Sequence, residues 1–229
     1  MHLFYQPLIS EGIDYLDADE ARHATRVMRL QKGDELQITD GKGCFYRCIV
    51  SNATKHECYF KIVEKIQTPL RGYTIHIAIA PTKNLDRMEW FVEKAAELGI
   101  DKITFISCDN SERKSVNIER LVKKAISGMK QSKQSRLPLV EDIARFEKIL
   151  DTDGEKFIAH VDIGNPAQLK DARLRSKYTV LIGPEGDFST DELSLATKKG
   201  FKKVSLGSTT LRTETAGIVA CHTLHLINS

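Results

Sequence analysis

The spacing of apolar positions changes character once along the chain, near residue 70. Before that point short alternating runs dominate. Leu3-Phe4-Tyr5, Glu35–Thr39, Cys44–Val50 and Cys58–Lys65 read as strands, with Asp40-Gly41 as a hairpin turn. One helical stretch interrupts them. Ala21, Ala24, Val27 and Met28 recur at helical spacing, which predicts a helix over about Asp19–Leu30, capped by Asp17 or Asp19 and ended by Gly33-Asp34. Short strands joined by tight turns predict a small barrel. Gln67-Thr68-Pro69-Leu70-Arg71-Gly72 has linker chemistry, so the boundary falls there, between domains spanning 1–70 and 73–229.

From Tyr73 onward strands and helices alternate. Ile75–Ala80, Lys102–Ser107, Lys156–Val161, Thr179–Ile182 and Lys203–Leu206 are short apolar strands. A helix over about Asn84–Leu98 carries Leu85, Met88, Val92, Ala95 and Leu98 on one face, with Gly99 as its stop. Further helices are predicted over Asn117–Gln131 and Thr213–Ile227, the latter with Ala216, Ala220, Thr223 and Ile227 on one face. Alternation of this kind predicts an α/β domain with a largely parallel sheet covered on both sides.

Two loops near the C-terminus share one grammar. Val180-Leu181-Ile182 runs into Gly183-Pro184-Glu185-Gly186, and the capping box Ser189…Glu192 then opens a helix. Val204-Ser205-Leu206-Gly207 runs into Leu211-Arg212-Thr213-Glu214-Thr215-Ala216, which opens the last helix. Both loops follow the carboxyl end of a strand, where open α/β sheets hold small ligands. The glycines allow close backbone approach, so amides and carbonyls there could read the edge of a flat heterocycle.

Composition narrows the classes. With 41% apolar and 28% charged residues among 229, the chain is of ordinary globular type. No run approaches the roughly 18 apolar residues of a membrane span, and the N-terminus lacks a signal-peptide pattern, which implies a cytoplasmic protein. Five cysteines without a C-x-x-C pair read as reduced, buried thiols rather than a disulfide framework or zinc site. The net charge of +3 is small, but Arg113–Arg136 holds eight basic residues against one acid, Glu119. That is the footprint of a face for a polyanion, or else a solvated helix face. His222 and His225 could share a metal, although no compact His/Asp/Glu set accompanies them, so no metal is expected. G-x-S-x-G, G-x-G-x-x-G and Walker-type phosphate loops are absent.

The combination G-P-E-G-x-F-S-x-x-E, then L-G, then L-R-T-E-T-A is specific. It resembles the SPOUT superfamily of S-adenosylmethionine-dependent RNA methyltransferases, and most closely the bacterial family that methylates N3 of one uridine in 16S ribosomal RNA. The resemblance covers essentially the whole chain. His23…Val27-Met28-Arg29, Gly33-Asp34 and Asp40-Gly41-Lys42-Gly43 are similar to that family's PUA-like RNA-binding barrel. Glu89…Glu93-Lys94-Ala95-Ala96-Glu97-Leu98-Gly99 is similar to its first catalytic-domain helix, and Gln131-Ser132…Arg136-Leu137-Pro138 to its central segment. Two positions depart from the family's pattern: Asp187 replaces the usual glycine, and Gln134 the usual arginine.

The resemblance implies a trefoil-knotted parallel-sheet domain after the PUA-like barrel, a homodimer, and a 16S rRNA substrate within a 30S particle. S-adenosylmethionine would contact Ile182, Gly183, Glu185, Gly186, Leu206, Gly207, Leu211 and Arg212, largely through backbone. His160 would line the pocket, or else be a satisfied core histidine. Methylation at N3 of uracil requires loss of a proton and stabilisation of the charge that develops on O2 and O4. Arg212 is the candidate for that charge, and Glu185 and Glu214 are candidate bases or orienting groups. The alternatives are an Arg212 ion pair with either glutamate, and dipole complementation for Glu214. RNA phosphates would be held by Arg22, His23, Arg26 and Arg29 in the first domain. In the second they would meet Lys83, Arg113, Lys123, Lys124, Lys130 and Arg136. Two other readings remain open: ribose 2′-O-methylation, and RNA binding without catalysis.

Overall fold

The computed structural model describes residues 2–160 and 167–229. Val161, the end of one expected strand, lies outside the described residues. The chain forms two compact units, Met1–Leu70 with Met129–Leu137, and Arg71–Gly128 with Pro138–Ser229.

In the first unit β1 (Leu3–Tyr5), β2 (Glu35–Thr39), β3 (Cys44–Ala53) and β4 (Cys58–Gln67) pair in that order, β1 parallel to β2 and the rest antiparallel. Inward positions alternate: Leu36, Ile38, Tyr46, Cys48, Val50 and Phe60 are buried in one core with Phe4 and Ile9. The helix predicted over Asp19–Leu30 is shorter and irregular. α1 (Ala18–Arg22) starts where Asp17 accepts amide hydrogens from Asp19 and Glu20, then widens into a π turn over His23–Val27. The wider turn rotates later side chains off the predicted stripe, so Ala21 and Ala24 are buried but Val27 is exposed. Arg29, at φ 56, ends it.

Residues 129–137 belong to this unit through backbone chemistry that no hydrophobic period encodes. Thr39 Oγ1 donates to the Ser135 carbonyl at 3.2 Å, and Arg136 donates to the carbonyls of Lys42 (2.9 Å) and Thr68 (3.1 Å). Gly43 lies at φ 112, and a Cβ there would overlap the Arg136 guanidinium.

The second unit contains a six-stranded, wholly parallel sheet. Its strands are β5 (Thr74–Ile79), β6 (Lys102–Ser107), β7 (Leu139–Arg145), β8 (Glu155–Ala159), β9 (Lys177–Ile182) and β10 (Lys202–Val204). Their order is β10-β8-β9-β5-β6-β7. Central strands read as continuous apolar runs because both faces are covered; Ile75, Ile77, Val180 and Leu181 have no exposed surface. The helices are α2 (Leu85–Leu98), α3 (Ile118–Gln131), α4 (Phe146–Ile149), α5 (Thr190–Lys198) and α6 (Thr213–Ile227). The reading of the sequence places no element between Gln131 and Lys156, yet β7 and α4 lie there. β7 is an edge strand on which only Val140 is buried, so it carries no apolar run to detect. On α6 the buried stripe is Thr213, Gly217, Ala220 and Leu224, with Ala216 and Cys221 beside it; Thr223 and Ile227 are only half-buried, so the predicted face is turned at its C-terminal end.

All five cysteines are free and buried, and burial pushes the Cys48 and Cys221 thiols up to about 12. His76 on β5 contacts Thr104 Oγ1 at 2.8 Å, and that hydroxyl donates to Glu141 at 2.8 Å. Burial, with Lys102 nearby, lowers the imidazole from 6.5 to about 4, and His225 on α6 is lowered to about 4 chiefly by burial. A histidine whose folded pKa is depressed stabilises the fold above its unfolded value and loses that contribution as pH falls through the folded one. Stability is therefore expected to decline from about pH 6.5 to about pH 4, read as a falling urea midpoint. His76→Gln should make that decline shallower; an unchanged slope would assign it to other groups.

Candidate active site

The two C-terminal loops meet over the carboxyl ends of β8, β9 and β10. Between them lies a cavity of about 730 Å³, within the range of small-molecule sites. Its floor is Ala159, Ile182 and Val204, the last residues of their strands or next to them. One wall is Gly183–Glu185 with Asp187, the other Ser205–Thr213 with Ala216.

Each wall is held by a different device. In the first, Ser189 Oγ accepts the Glu192 amide hydrogen at 3.2 Å and Glu192 Oε2 accepts that of Ser189 at 2.9 Å. Glu192 Oε1 also accepts from the amide of Asp109, at 3.0 Å, in the loop after β6. Asn110 in that loop donates to the carbonyls of Gly186 (3.1 Å) and Asp187 (3.0 Å). In the second wall Ser205 Oγ donates to the Gly207 carbonyl at 2.6 Å, and Gly207 adopts φ 149. Thr213 Oγ1 donates to the Gly183 carbonyl at 3.1 Å, so the start of α6 is tied directly to the first wall.

The named side chains fall into distinct places. Arg212 is the N-cap residue of α6, exposed, and lines the cavity. Among the described residues it makes no ion pair, so the alternative of a bond to Glu185 or Glu214 is not what forms. Arg87, in the first turn of α2, takes that place: its guanidinium lies 3.9 Å from Glu185 Oε1 and 3.8 Å from Glu214 Oε1. Glu185 remains on the cavity wall, whereas Glu214 is 6% exposed and off it. Glu214 Oε2 is buried without a hydrogen-bond partner among the described residues. Gly186 belongs to the loop but not to the wall; a Cβ there would approach Asn110 at 3.3 Å. His160 lines the cavity, with Nδ1 2.8 Å from Asp187 Oδ2.

Arg87 and Asn110 carry no motif that sequence reading could have used. The available signal was position: Asn110 follows the carboxyl end of a strand in a parallel sheet, where site residues gather.

The basic residues are spread over both units. Arg22, His23, Arg26 and Arg29 are all exposed on the first, Arg22 beside Asp19 at 3.5 Å. Lys123 is exposed on the second. Others have partners within their own unit: Lys130 bonds Glu20, Arg136 the carbonyls described above, Lys124 Glu89 at 3.7 Å, and Lys83 Glu112 at 3.3 Å. Arg113 donates to the Lys83 carbonyl at 2.8 Å. Arg120 bonds the buried Glu89 and the exposed Asp86, while its own side chain stays largely exposed. Among the described residues no group of three or more His, Cys, Asp or Glu side chains is placed to hold a metal ion, and no helix is long and apolar enough to cross a membrane.

Residues 16–63 match the RNA methyltransferase PUA domain, and residues 69–225 match the RNA methyltransferase domain. The ribosomal RNA small subunit methyltransferase E of Aquifex aeolicus is 34% identical, over 94% of this chain and 95% of that protein. The crystal structure of a probable rRNA-methyltransferase from Porphyromonas gingivalis is 41% identical, with a TM-score of 0.93 over 100% of this chain and 98% of that one. A ribosomal RNA small subunit methyltransferase E from Neisseria gonorrhoeae, solved bound to S-adenosyl methionine, is 25% identical, with a TM-score of 0.85 over 99% and 97%. With its methyltransferase domain matched across 69–225 and its PUA domain across 16–63, the chain belongs to the RNA methyltransferase family.

Proposed function

We propose that the chain is an S-adenosylmethionine-dependent methyltransferase that modifies N3 of one uridine in 16S rRNA of the small ribosomal subunit. The observation that carries this reading is the two-walled cavity, in a chain similar along almost its whole length to small-subunit rRNA methyltransferases. The cofactor fits what the residues offer. Ile182, Leu206 and Leu211 supply apolar surface, the glycine-containing loops and Arg212 supply exposed backbone, and His160 and Glu185 supply a few polar groups. When bound, S-adenosylmethionine supplies an electrophilic methyl group.

The residues divide the remaining work. The backbone of Gly183 and Gly207 sets how closely the ligand approaches, and Gly186 lets the first loop pack on Asn110. Glu185, the carboxylate on the cavity wall, accepts the N3 proton of uracil, with Arg87 holding it in place. Arg212 stabilises the negative charge that develops on O2 and O4. Glu214, buried against Arg87, orients that arginine and complements the N-terminal dipole of α6. The exposed Arg22, His23, Arg26 and Arg29 of the first unit, and Lys123 of the second, track RNA phosphates. Lys83, Arg113, Lys124, Lys130 and Arg136 contribute to that field while braced by their own partners.

The domains of this reading are a PUA-like RNA-binding barrel over 1–70 and a SPOUT methyltransferase domain over 73–229. The trefoil knot, the homodimer, a 30S substrate and a cytoplasmic location complete it, on the strength of the family resemblance. Nucleoside mass spectrometry of 16S rRNA from cells with and without the gene tests it. Loss of 3-methyluridine is the expected outcome. Loss of a ribose methylation instead would move the acceptor to a 2′-hydroxyl, and unchanged 16S nucleosides would overturn the proposal.

A further inference from the structure

Asp187 differs from its loop in two respects. It is a non-glycine residue at φ 59, in the left-handed region where a side chain costs backbone energy. Both its carboxylate oxygens are also engaged. Oδ1 accepts the amide hydrogen of Phe188 at 2.8 Å, and Oδ2 lies 2.8 Å from His160 Nδ1. An ionised carboxylate only accepts, so Nδ1 carries the hydrogen, and in the neutral ring Nε2 is left as an acceptor. Among the described residues Nε2 has no partner. Yet His160 is 17% exposed and sits, like Asp187, on the cavity wall. A part-buried acceptor on a cavity wall, with no donor among the described residues, is open to a donor on the ligand.

We propose that Asp187 is a positioning residue: it fixes His160 in the tautomer whose Nε2 accepts a hydrogen bond from the nucleoside part of the bound cofactor, from a ribose hydroxyl or the adenine amino group. The inference rests on the reading of the cavity as an S-adenosylmethionine site and adds to it a residue that makes the site selective for a donor at that point. The left-handed turn alone would be served better by glycine, so the carboxylate is what the site gains from aspartate.

Calorimetric titration with S-adenosylmethionine and S-adenosylhomocysteine tests it on the full chain. The proteins are wild type, Asp187→Gly, Asp187→Asn, His160→Ala and the Asp187→Gly/His160→Ala double variant. Asp187→Gly relieves the backbone and should melt no earlier than wild type, yet bind about tenfold more weakly. Asp187→Asn tolerates the turn but has one oxygen where Phe188 N–H and His160 Nδ1 use two, so its NH2 faces Nδ1, the tautomer inverts, and affinity should fall as in Asp187→Gly. Adding Asp187→Gly to His160→Ala should cost nothing further. In turnover assays Asp187→Gly should raise KM for the cofactor and leave kcat unchanged. The same cycle with S-inosylhomocysteine, or with ribose-deoxy analogues, locates the donor: coupling lost with the first assigns the amino group, and coupling lost with the second assigns the sugar. Coupling that persists with both overturns the nucleoside as partner. Asp187→Gly binding as tightly as wild type overturns the proposal itself. A wild type that binds no S-adenosylmethionine is a separate result, which removes the reading of the cavity and this inference with it.

Discussion

Arg212→Ala is expected to lower the methylation rate by about 10²–10³-fold, while affinity for S-adenosylmethionine stays within a small factor of wild type. Arg212 has no structural duty among the described residues that alanine would fail to perform. It is exposed, it caps α6 only through its backbone, and among the described residues its guanidinium makes no ion pair. Its carbonyl accepts the Ala216 amide hydrogen at 2.8 Å, a bond that alanine keeps. Truncation should therefore leave the melting temperature unchanged. On the proposed reading, what is lost is the cation that stabilises the uracil anion as it forms. A preorganised donor at such a position is worth about 3–4 kcal/mol in the transition state and much less in the ground state. Single-turnover rates and calorimetry on the same preparation would separate the two effects. Near-normal turnover would sink the assignment. On the proposed reading Glu185→Gln removes the proton acceptor and should likewise slow methylation, whereas Arg87→Ala acts only through Glu185 and Glu214 and should slow it less.

Gly217→Val is expected to cost about 3 kcal/mol of stability, and so to lower the melting temperature by about 6–12 °C for a chain of this size. Gly217 is buried on α6, where a Cβ would stand 2.5 Å from Phe91 Cε2 and 3.1 Å from Ile79 Cδ1. Phe91 lies on α2 and Ile79 on β5, and neither has any exposed surface, so neither ring nor chain has space to yield. Replacing glycine inside a helix gains at most about 1 kcal/mol of propensity, and less for a β-branched residue. Overpacking outweighs that gain. The same variant tests the site, because α6 opens with Arg212, Thr213 and Glu214. A displaced helix should weaken the Thr213–Gly183 link and reduce turnover along with stability. Unchanged melting would mean that the helices part without cost, and would contradict the close packing seen between α2 and α6.

Much of the second unit was legible in the residues themselves. Continuous apolar runs such as Ile75–Ala80 and Val180–Ile182 can only be buried strands, and the capping box at Ser189 and Glu192 forms as its spacing predicts. Local rules failed where local energetics were overridden or weak. The π turn at His23 shifts a helical stripe that a regular period would have continued. β7 shows one buried residue and so leaves no pattern. The His222–His225 pair, spaced for a shared ligand, separates into an exposed imidazole and one whose Nδ1 faces the Tyr73 hydroxyl at 2.9 Å.

By itself, the order of residues determined that two strand–loop–helix segments would each present a glycine-bearing loop at the carboxyl end of a parallel strand. Periodicity, caps and turn residues are short-range properties, written within about ten positions of where they act. Only the tertiary structure decided what faces what. Asp187 meets His160 across 27 positions, and Arg87 meets Glu185 across 98 and Glu214 across 127. It also decided that residues 129–137 belong with the first unit. Such pairings depend on the crossover of one strand past another and on which carbonyls and carboxylates are left unsatisfied. Those are properties of the packed chain that no window of sequence contains.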